Sequence, residues 1–174
     1  MKRVFGITGW KNAGKTTLTV RLVEHLTGRG FSVSTIKHAH HSADIDHEGT
    51  DSYKHRQAGA KEVMLATPSR FALMHELRSG RPEPPLKELL DRMGEADLIL
   101  VEGYKREPIP KLMIMREADD ESAALKDIPN IAAFVYEKPA LAPERGKPVF
   151  TINDISGIAA FILAQVGLQH GNMV

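Results

Sequence analysis

The chain contains no cysteine. That excludes disulfides and thiolate metal sites, and it fits a reducing compartment. It also lacks a charge bias: 23 Lys and Arg stand against 22 Asp and Glu, a net charge of +1. A balanced chain gives no electrostatic ground for DNA or RNA as the main partner. No apolar run approaches the roughly 20 residues that span a bilayer. The charged start MKRVFGITG runs on without a small-residue cleavage site, so neither a membrane span nor a signal peptide is expected. No internal repeat or low-complexity segment stands out. These absences together read as a cytoplasmic protein.

What remains is ordinary core-forming material. With 174 residues and 42% hydrophobic content, a single domain spanning 1–174 is expected. Val4 to Thr8 is a short β-branched and aromatic run, a buried strand by pattern. From Lys15 to Leu26, Leu18, Leu22, Val23 and Leu26 recur at three and four residues and form one helical face. Gly28 and Gly30 are expected to end this helix in the left-handed conformation. Ser32 to Lys37 reads as a second strand, which makes a parallel strand–helix–strand unit.

Further on, Ser52 to Ala58 reads as a short helix ended by Gly59. Glu62 to Ala66 and Arg70 to His75 read as a hairpin turning at Thr67-Pro68-Ser69. Pro82, Pro84 and Pro85 precede a helix with Leu86, Leu89, Leu90 and Met93 on one face. Asp97 to Val101, Lys111 to Met115, Ile131 to Tyr136 and Pro148 to Ile152 are strand candidates. Asp154 to Val166 is a closing helix, with Asp154 as N-cap. Alternating strands and helices predict an α/β, three-layer phosphate-loop fold. Its central sheet should be largely parallel, with a hairpin extension at about 62–75.

The chemistry concentrates in GITGWKNAGKTTL. Gly9, Trp10, Lys11, Asn12, Ala13, Gly14, Lys15 and Thr16 fit G-x-x-x-x-G-K-[ST], between a strand-like and a helix-like run, the context this motif requires. Its glycines let backbone N–H groups turn inward on phosphate oxygens, and the following helix adds its positive end. Lys15 is expected on the β- and γ-phosphates, Thr16 on Mg²⁺, and Thr17 on the α-phosphate. Lys11 is either a second phosphate cation, a reach across a dimer contact, or simply solvated. Trp10 either stacks near a base or partner, or covers the loop.

Such a loop works with an acid at the C-terminal end of a neighbouring strand. In DLILVEGYK, Glu102 follows four apolar residues and is the metal-side candidate. Glu is longer than the usual Asp, so it is expected to act through a water, and Gly103 allows close backbone approach. Asp97 sits at the wrong end of that strand.

Four of the eight histidines, His38, His40, His41 and His47, fall in one polar segment with Asp44, Asp46, Glu48 and Asp51. Three readings stay open. In the first it is a switch loop, whose Asp44 or Asp46 takes a catalytic role beside Lys15 by holding Mg²⁺ or orienting water. In the second it is a transition-metal site. In the third it is a solvated loop. The hairpin is a candidate dimer edge, with Val63, Leu65, Phe71, Leu73 and Leu77 as apolar contacts.

GWKNAGKTTL, TIKHAHH, DSYKHRQAGA, LILVEGYK and TINDISGIAAFI occur in the order and spacing of one family. Over nearly its whole length the chain resembles MobB, the nucleotide-binding accessory proteins of molybdopterin-guanine dinucleotide biosynthesis. The resemblance implies GTP and Mg²⁺ as ligands, slow hydrolysis, and a homodimer with strands extending between subunits. It also implies an adaptor role toward the guanylyltransferase that joins GMP to molybdopterin, and toward other cofactor-maturation proteins. By motif, Gly9 to Thr17 carry the phosphate site and Glu102 the metal-side acid, with His38, His40, His41 and Asp44 to Asp46 in the loop beside them. Trp10 to Ala13 depart from the family's smaller loop filling, and no N-K-x-D guanine motif is present. Asp154 either reads guanine or, the preferred reading, caps the last helix. Two rival functions are a small-molecule kinase with Arg78 and Arg81 as lid arginines, and a metal carrier using the histidine loop.

Overall fold

The computed structural model describes residues 2–39, 44–77, 80, 82–116, 126–138 and 146–168. Its contacts divide the chain into one compact unit of residues 1–38 and 90–174 and a second of residues 39–89.

The first unit is built on a six-stranded sheet of β1 (Val4–Gly9), β2 (Val33–Lys37), β5 (Leu98–Glu102), β6 (Lys111–Met115), β7 (Ile131–Tyr136) and β8 (Val149–Thr151), in the order β2-β5-β1-β6-β7-β8. Every neighbouring pair is parallel. β1 and β2 are thus parallel as expected, with β5 inserted between them. Purely parallel sheets bury both faces, and β5 and β6 are buried at every position.

Alternation sorts their side chains. Phe5, Ile7, Leu98, Leu100, Leu112, Ile114, Ala133 and Val135 join one cluster with Leu18, Leu22 and Leu26 of α1 (Lys15–Thr27) and Ile158, Ala159 and Ile162 of the last helix, Ile155–Gln165. That last helix is α4 here. Met113, Met115, Phe134 and Tyr136 point to the opposite face and form a second cluster with Ile128 and Ile131. The spacing read from Leu18, Leu22 and Leu26 is therefore the buried face of α1, which packs beside α4.

The end of α1 corrects one expectation. Gly28 is right-handed at φ −61°, and only Gly30 is left-handed at φ +87°. The turn is made two residues later than Gly28, where Gly30 donates to Thr27 O and Phe31 donates to Leu26 O. Asp154 caps α4 as expected, its Oδ1 accepting from the Gly157 N–H at 2.9 Å.

Lys111 opens β6 fully buried. Its ammonium donates to Glu107 O at 2.6 Å and Pro129 O at 2.8 Å, tying two loops to the sheet. Burial pulls its pKa down from 10.5 to about 8, against the pull of Glu107 in the other direction. Between about 8 and 10.5 the unfolded chain holds a proton that the folded chain has released, so stability rises with pH through that window. In urea melts from pH 7 to pH 11, the wild type is expected to gain stability relative to Lys111→Met. A pH-independent difference would contradict the burial of a titrating amine.

The second unit contains α2 (Asp51–Gln57), which packs against β3 (Glu62–Ala66), and β4 (Phe71–His75), which pairs antiparallel with β3. The helix α3 (Leu86–Arg92) contains the boundary at Leu90. Thr50 caps α2 by accepting from Tyr53 N–H. In the hairpin, Val63 faces Met74 across the strands and both are buried. Val63 is therefore not a surface contact, contrary to its expected role. On the other face, Met64, Leu73 and Phe71 are 60%, 45% and 72% exposed. Among the described residues no helix is long and apolar enough to cross a membrane.

Candidate functional site

Parallel pairing places the C-terminal ends of neighbouring strands on one edge, where open α/β sheets carry their ligands. Lys37 at the end of β2 is in register with Glu102 at the end of β5, and Glu102 is in register with Ile7 of β1. β1 then runs out at Gly9, so the Gly9–Thr16 loop rises from the same edge.

The loop curls because two of its residues are left-handed, Asn12 at φ 61° and Gly14 at φ 88°. Gly9 has no room for a side chain: a Cβ there would lie 2.9 Å from Ile114 O. Gly14 is the N-cap of α1 and supplies no side-chain cap, and the first turn contains no acidic residue. The first turn of α1 therefore brings no carboxylate of its own to the helix's positive end. Thr8, directly before the loop, is fully buried, and its hydroxyl has no partner among the described residues.

Lys15 turns back over the loop and donates to Trp10 O at 2.7 Å and Gly9 O at 3.2 Å. Burial lowers its pKa; Glu102 raises it, and Lys37 and Arg116 lower it further. Thr16 donates to Glu102 Oε1 at 2.8 Å. Glu102, expected to hold the metal through a water, thus has its carboxylate against the hydroxyl of Thr16, the other residue expected at the metal. Gly103 is left-handed, and a Cβ on it would sit 2.9 Å from the Cβ of His38. The close approach expected at Gly103 is therefore that of His38, which also donates its N–H to Glu102 O. The His38 ring stacks on Tyr104 at 4.5 Å.

Trp10 packs against the Met113 and Phe134 cluster and carries the Lys105 ammonium 3.9 Å from its ring centroid. This packing sets the indole on the core, a contact that neither expected role included. Lys11, Asn12, Thr16 and Thr17 are exposed, and Ala13 is buried. Asp97 holds Ser32 at the opposite end of β5, its pKa lowered by those hydrogen bonds.

Asp44 and Asp46 lie in the second unit. Arg56 donates to Asp44 Oδ1 at 2.8 Å, Glu76 Oε1 at 2.7 Å and Asp46 Oδ2 at 3.3 Å. Ser52 and Thr50 add bonds to Asp46 Oδ1 at 2.9 and 3.1 Å. The hydrogen bond from Arg56 leads the causes that hold Asp44 below the usual carboxylate range. Burial pushes Asp46 up, but its bonds to Ser52, Thr50 and Arg56 outweigh it and leave the pKa lowered. Both carboxylates are thus held by Arg56, and Asp46 also by Ser52 and Thr50. His40 and His41, and the kinase-type Arg78 and Arg81, lie outside the described residues. Among the described residues no cluster of three or more His, Cys, Asp or Glu forms a metal-binding group.

The sequence pattern did not single out Lys37 or Arg116. Lys37 donates to Thr16 Oγ1 at 3.3 Å and lies 3.5 Å from Glu102 Oε1. The signal was available only in register, as the last residue of a strand that ends beside Glu102.

Comparison with known proteins shows the family. The family model for MobB, molybdopterin guanine dinucleotide synthesis protein B, matches residues 4–137. The molybdopterin-guanine dinucleotide biosynthesis adapter protein of Haemophilus influenzae is 38% identical, covering 97% of this chain and 92% of its own length. The protein of the same name from Escherichia coli is 35% identical, over 97% of this chain and 95% of its own. The crystal structure of Bacillus subtilis MobB superimposes with a TM-score of 0.74 at 27% identity, covering 97% of this chain and 99% of the other. With the family pattern matched across most of the chain and the parallel sheet shared with solved members, this protein belongs to the MobB family.

Proposed function

We propose that the protein is a GTP-binding adaptor of molybdopterin-guanine dinucleotide biosynthesis, acting in the cytoplasm, with slow GTPase activity at most. The adaptor role follows the names of its relatives. The observation that carries the nucleotide reading is the Gly9–Thr16 loop, left-handed at Asn12 and Gly14 and opening into α1. Beside it the Thr16 hydroxyl lies 2.8 Å from the Glu102 carboxylate.

The loop amides and the end of α1 bind phosphate oxygens, Lys15 neutralises the β- and γ-phosphates, and Thr17 reaches the α-phosphate. Hard divalent cations take oxygen donors, and Thr16 and Glu102 supply two. The Lys37 ammonium beside both oxygens supports the fit, because a positive charge is already accommodated there. Thr16 and Glu102 would hold Mg²⁺, which when bound neutralises charge on the terminal phosphates. Guanine preference rests on the family likeness, since Asp154 is engaged in capping α4. Calorimetric titration with GTP, GDP and ATP in Mg²⁺ tests the reading. Saturable GTP binding that exceeds ATP binding is expected, and heat-silent titrations with all three would defeat it.

The homodimer belongs to the same proposal. Met64, Leu73 and Phe71 form an exposed apolar face on the hairpin, of the kind that marks an interaction surface. Sedimentation at micromolar concentration should give a dimer for the wild type and a monomer for Phe71→Glu. A monomeric wild type would remove the dimer while leaving the nucleotide site untouched.

A further inference from the structure

We infer that Lys37 is an internal stand-in for the divalent cation and sets how strongly nucleotide binding depends on Mg²⁺. This rests on the nucleotide reading above.

Thr16, Glu102 and Lys37 form a directed chain. Lys37 donates to the Thr16 hydroxyl at 3.3 Å, and Thr16 donates onward to Glu102 Oε1 at 2.8 Å. The same ammonium lies 3.5 Å from that carboxylate oxygen. The Thr16 lone pair that a metal would use therefore accepts from Lys37, and the carboxylate that would balance a metal's charge balances an ammonium. Parallel register fixes this, since Lys37 and Glu102 are partners across β2 and β5.

The two ends of the pair differ in exposure. The Glu102 side chain is 9% exposed and the Lys37 side chain 58% exposed. An exposed lysine on an exposed acid is a weak and ordinary contact. Here the acid is buried, and the lysine shares its bonding with the threonine of the G-K-[ST] motif. The carboxylate is the fixed element, and the ammonium reaches it on a flexible four-carbon stem.

The consequences for ligand binding are distinct in the two conditions. Without a divalent cation, a triphosphate approaching Lys15 meets Glu102, whose negative charge repels it. Lys37 offsets that repulsion by staying on Glu102 and Thr16. With the cation present, Lys37 gives up those two oxygens and its ammonium is free for a phosphate or for solvent. Lys37 should therefore matter chiefly when Mg²⁺ is absent.

The test is calorimetric GTP affinity for wild type, Lys37→Met and Lys37→Arg, each in EDTA and in excess Mg²⁺. Circular dichroism checks that both variants fold, and comparing EDTA with Mg²⁺ within each variant cancels any change in stability that the two conditions share. Loss of one charge-assisted interaction is worth about tenfold or more. Lys37→Met should therefore raise the ratio of dissociation constants, EDTA over Mg²⁺, at least about tenfold. Lys37→Arg should keep that ratio near the wild-type value. Equal losses in both conditions would make Lys37 a plain phosphate contact and overturn the inference. An unchanged ratio with unchanged affinities would overturn it as well. If wild type fails to bind GTP even with Mg²⁺, both this inference and the nucleotide reading fall. Wild-type binding with an unaltered ratio in Lys37→Met removes only the role of Lys37.

Discussion

Lys15→Ala is expected to weaken GTP binding by about 100-fold or more, since each charge-assisted hydrogen bond is worth ~1.5–3 kcal/mol and two phosphate contacts are lost together. The geometry makes this a clean deletion. Lys15 spends its ammonium on two carbonyls of its own loop, Trp10 O and Gly9 O, rather than on a core partner. The loop's shape is fixed elsewhere, by the left-handed Asn12 and Gly14 and by the tight packing of Gly9 against Ile114. Removing the side chain should leave the thermal midpoint within a few degrees of wild type while affinity collapses. A loss below about threefold in calorimetry, under 1 kcal/mol, would mean that the lysine does not meet phosphate.

Leu100→Ala is expected to cost ~2–5 kcal/mol of stability, the usual range for truncating a fully buried leucine. Leu100 is 0% exposed in β5, flanked by β2 and β1, and faces the cluster that contains Leu18, Leu22 and Ile158. A cavity there loosens the packing of α1 on the sheet, two residues from Glu102. The control is Leu65→Ala in the hairpin, 51% exposed, where a change within about 0.5 kcal/mol is expected. Urea midpoints compare the two directly. Equal effects would contradict the assignment of the core.

How much of this was legible beforehand depended on whether the deciding contacts were local. The strands Val4–Gly9 and Leu98–Glu102 were legible, within a residue at the ends, as Val4 to Thr8 and Asp97 to Val101, because a buried parallel strand is rich in apolar residues. The Asp154 cap was legible because its partner, Gly157, is three residues away. The hairpin was legible from its turn, but not which face is buried: only the cross-strand pair of Val63 with Met74 decides that. Sheet order was out of reach, since inserting β5 between β1 and β2 is a choice among distant segments. Lys37 was missed for the same reason. A lysine at a strand end looks solvated until register sets it against Glu102, 65 positions along the chain. The Arg56 hub was equally hidden, because Asp44 and Glu76 reach it from opposite directions in sequence, 12 and 20 residues away. Its effect on the site reading is concrete: the two aspartates expected to act in chemistry both accept from Arg56.

The central claim is that the Gly9–Thr16 backbone cradles a triphosphate. The most direct measurement is an NMR titration of the amide-labelled protein with GTP and Mg²⁺, followed residue by residue. The account predicts the largest shifts at the N–H groups from Asn12 through Thr17, with Glu102 and Gly103 responding and the Ser32 and Asp97 amides at the opposite end of the sheet little changed. Loop amides that stay in place at saturating nucleotide would contradict it.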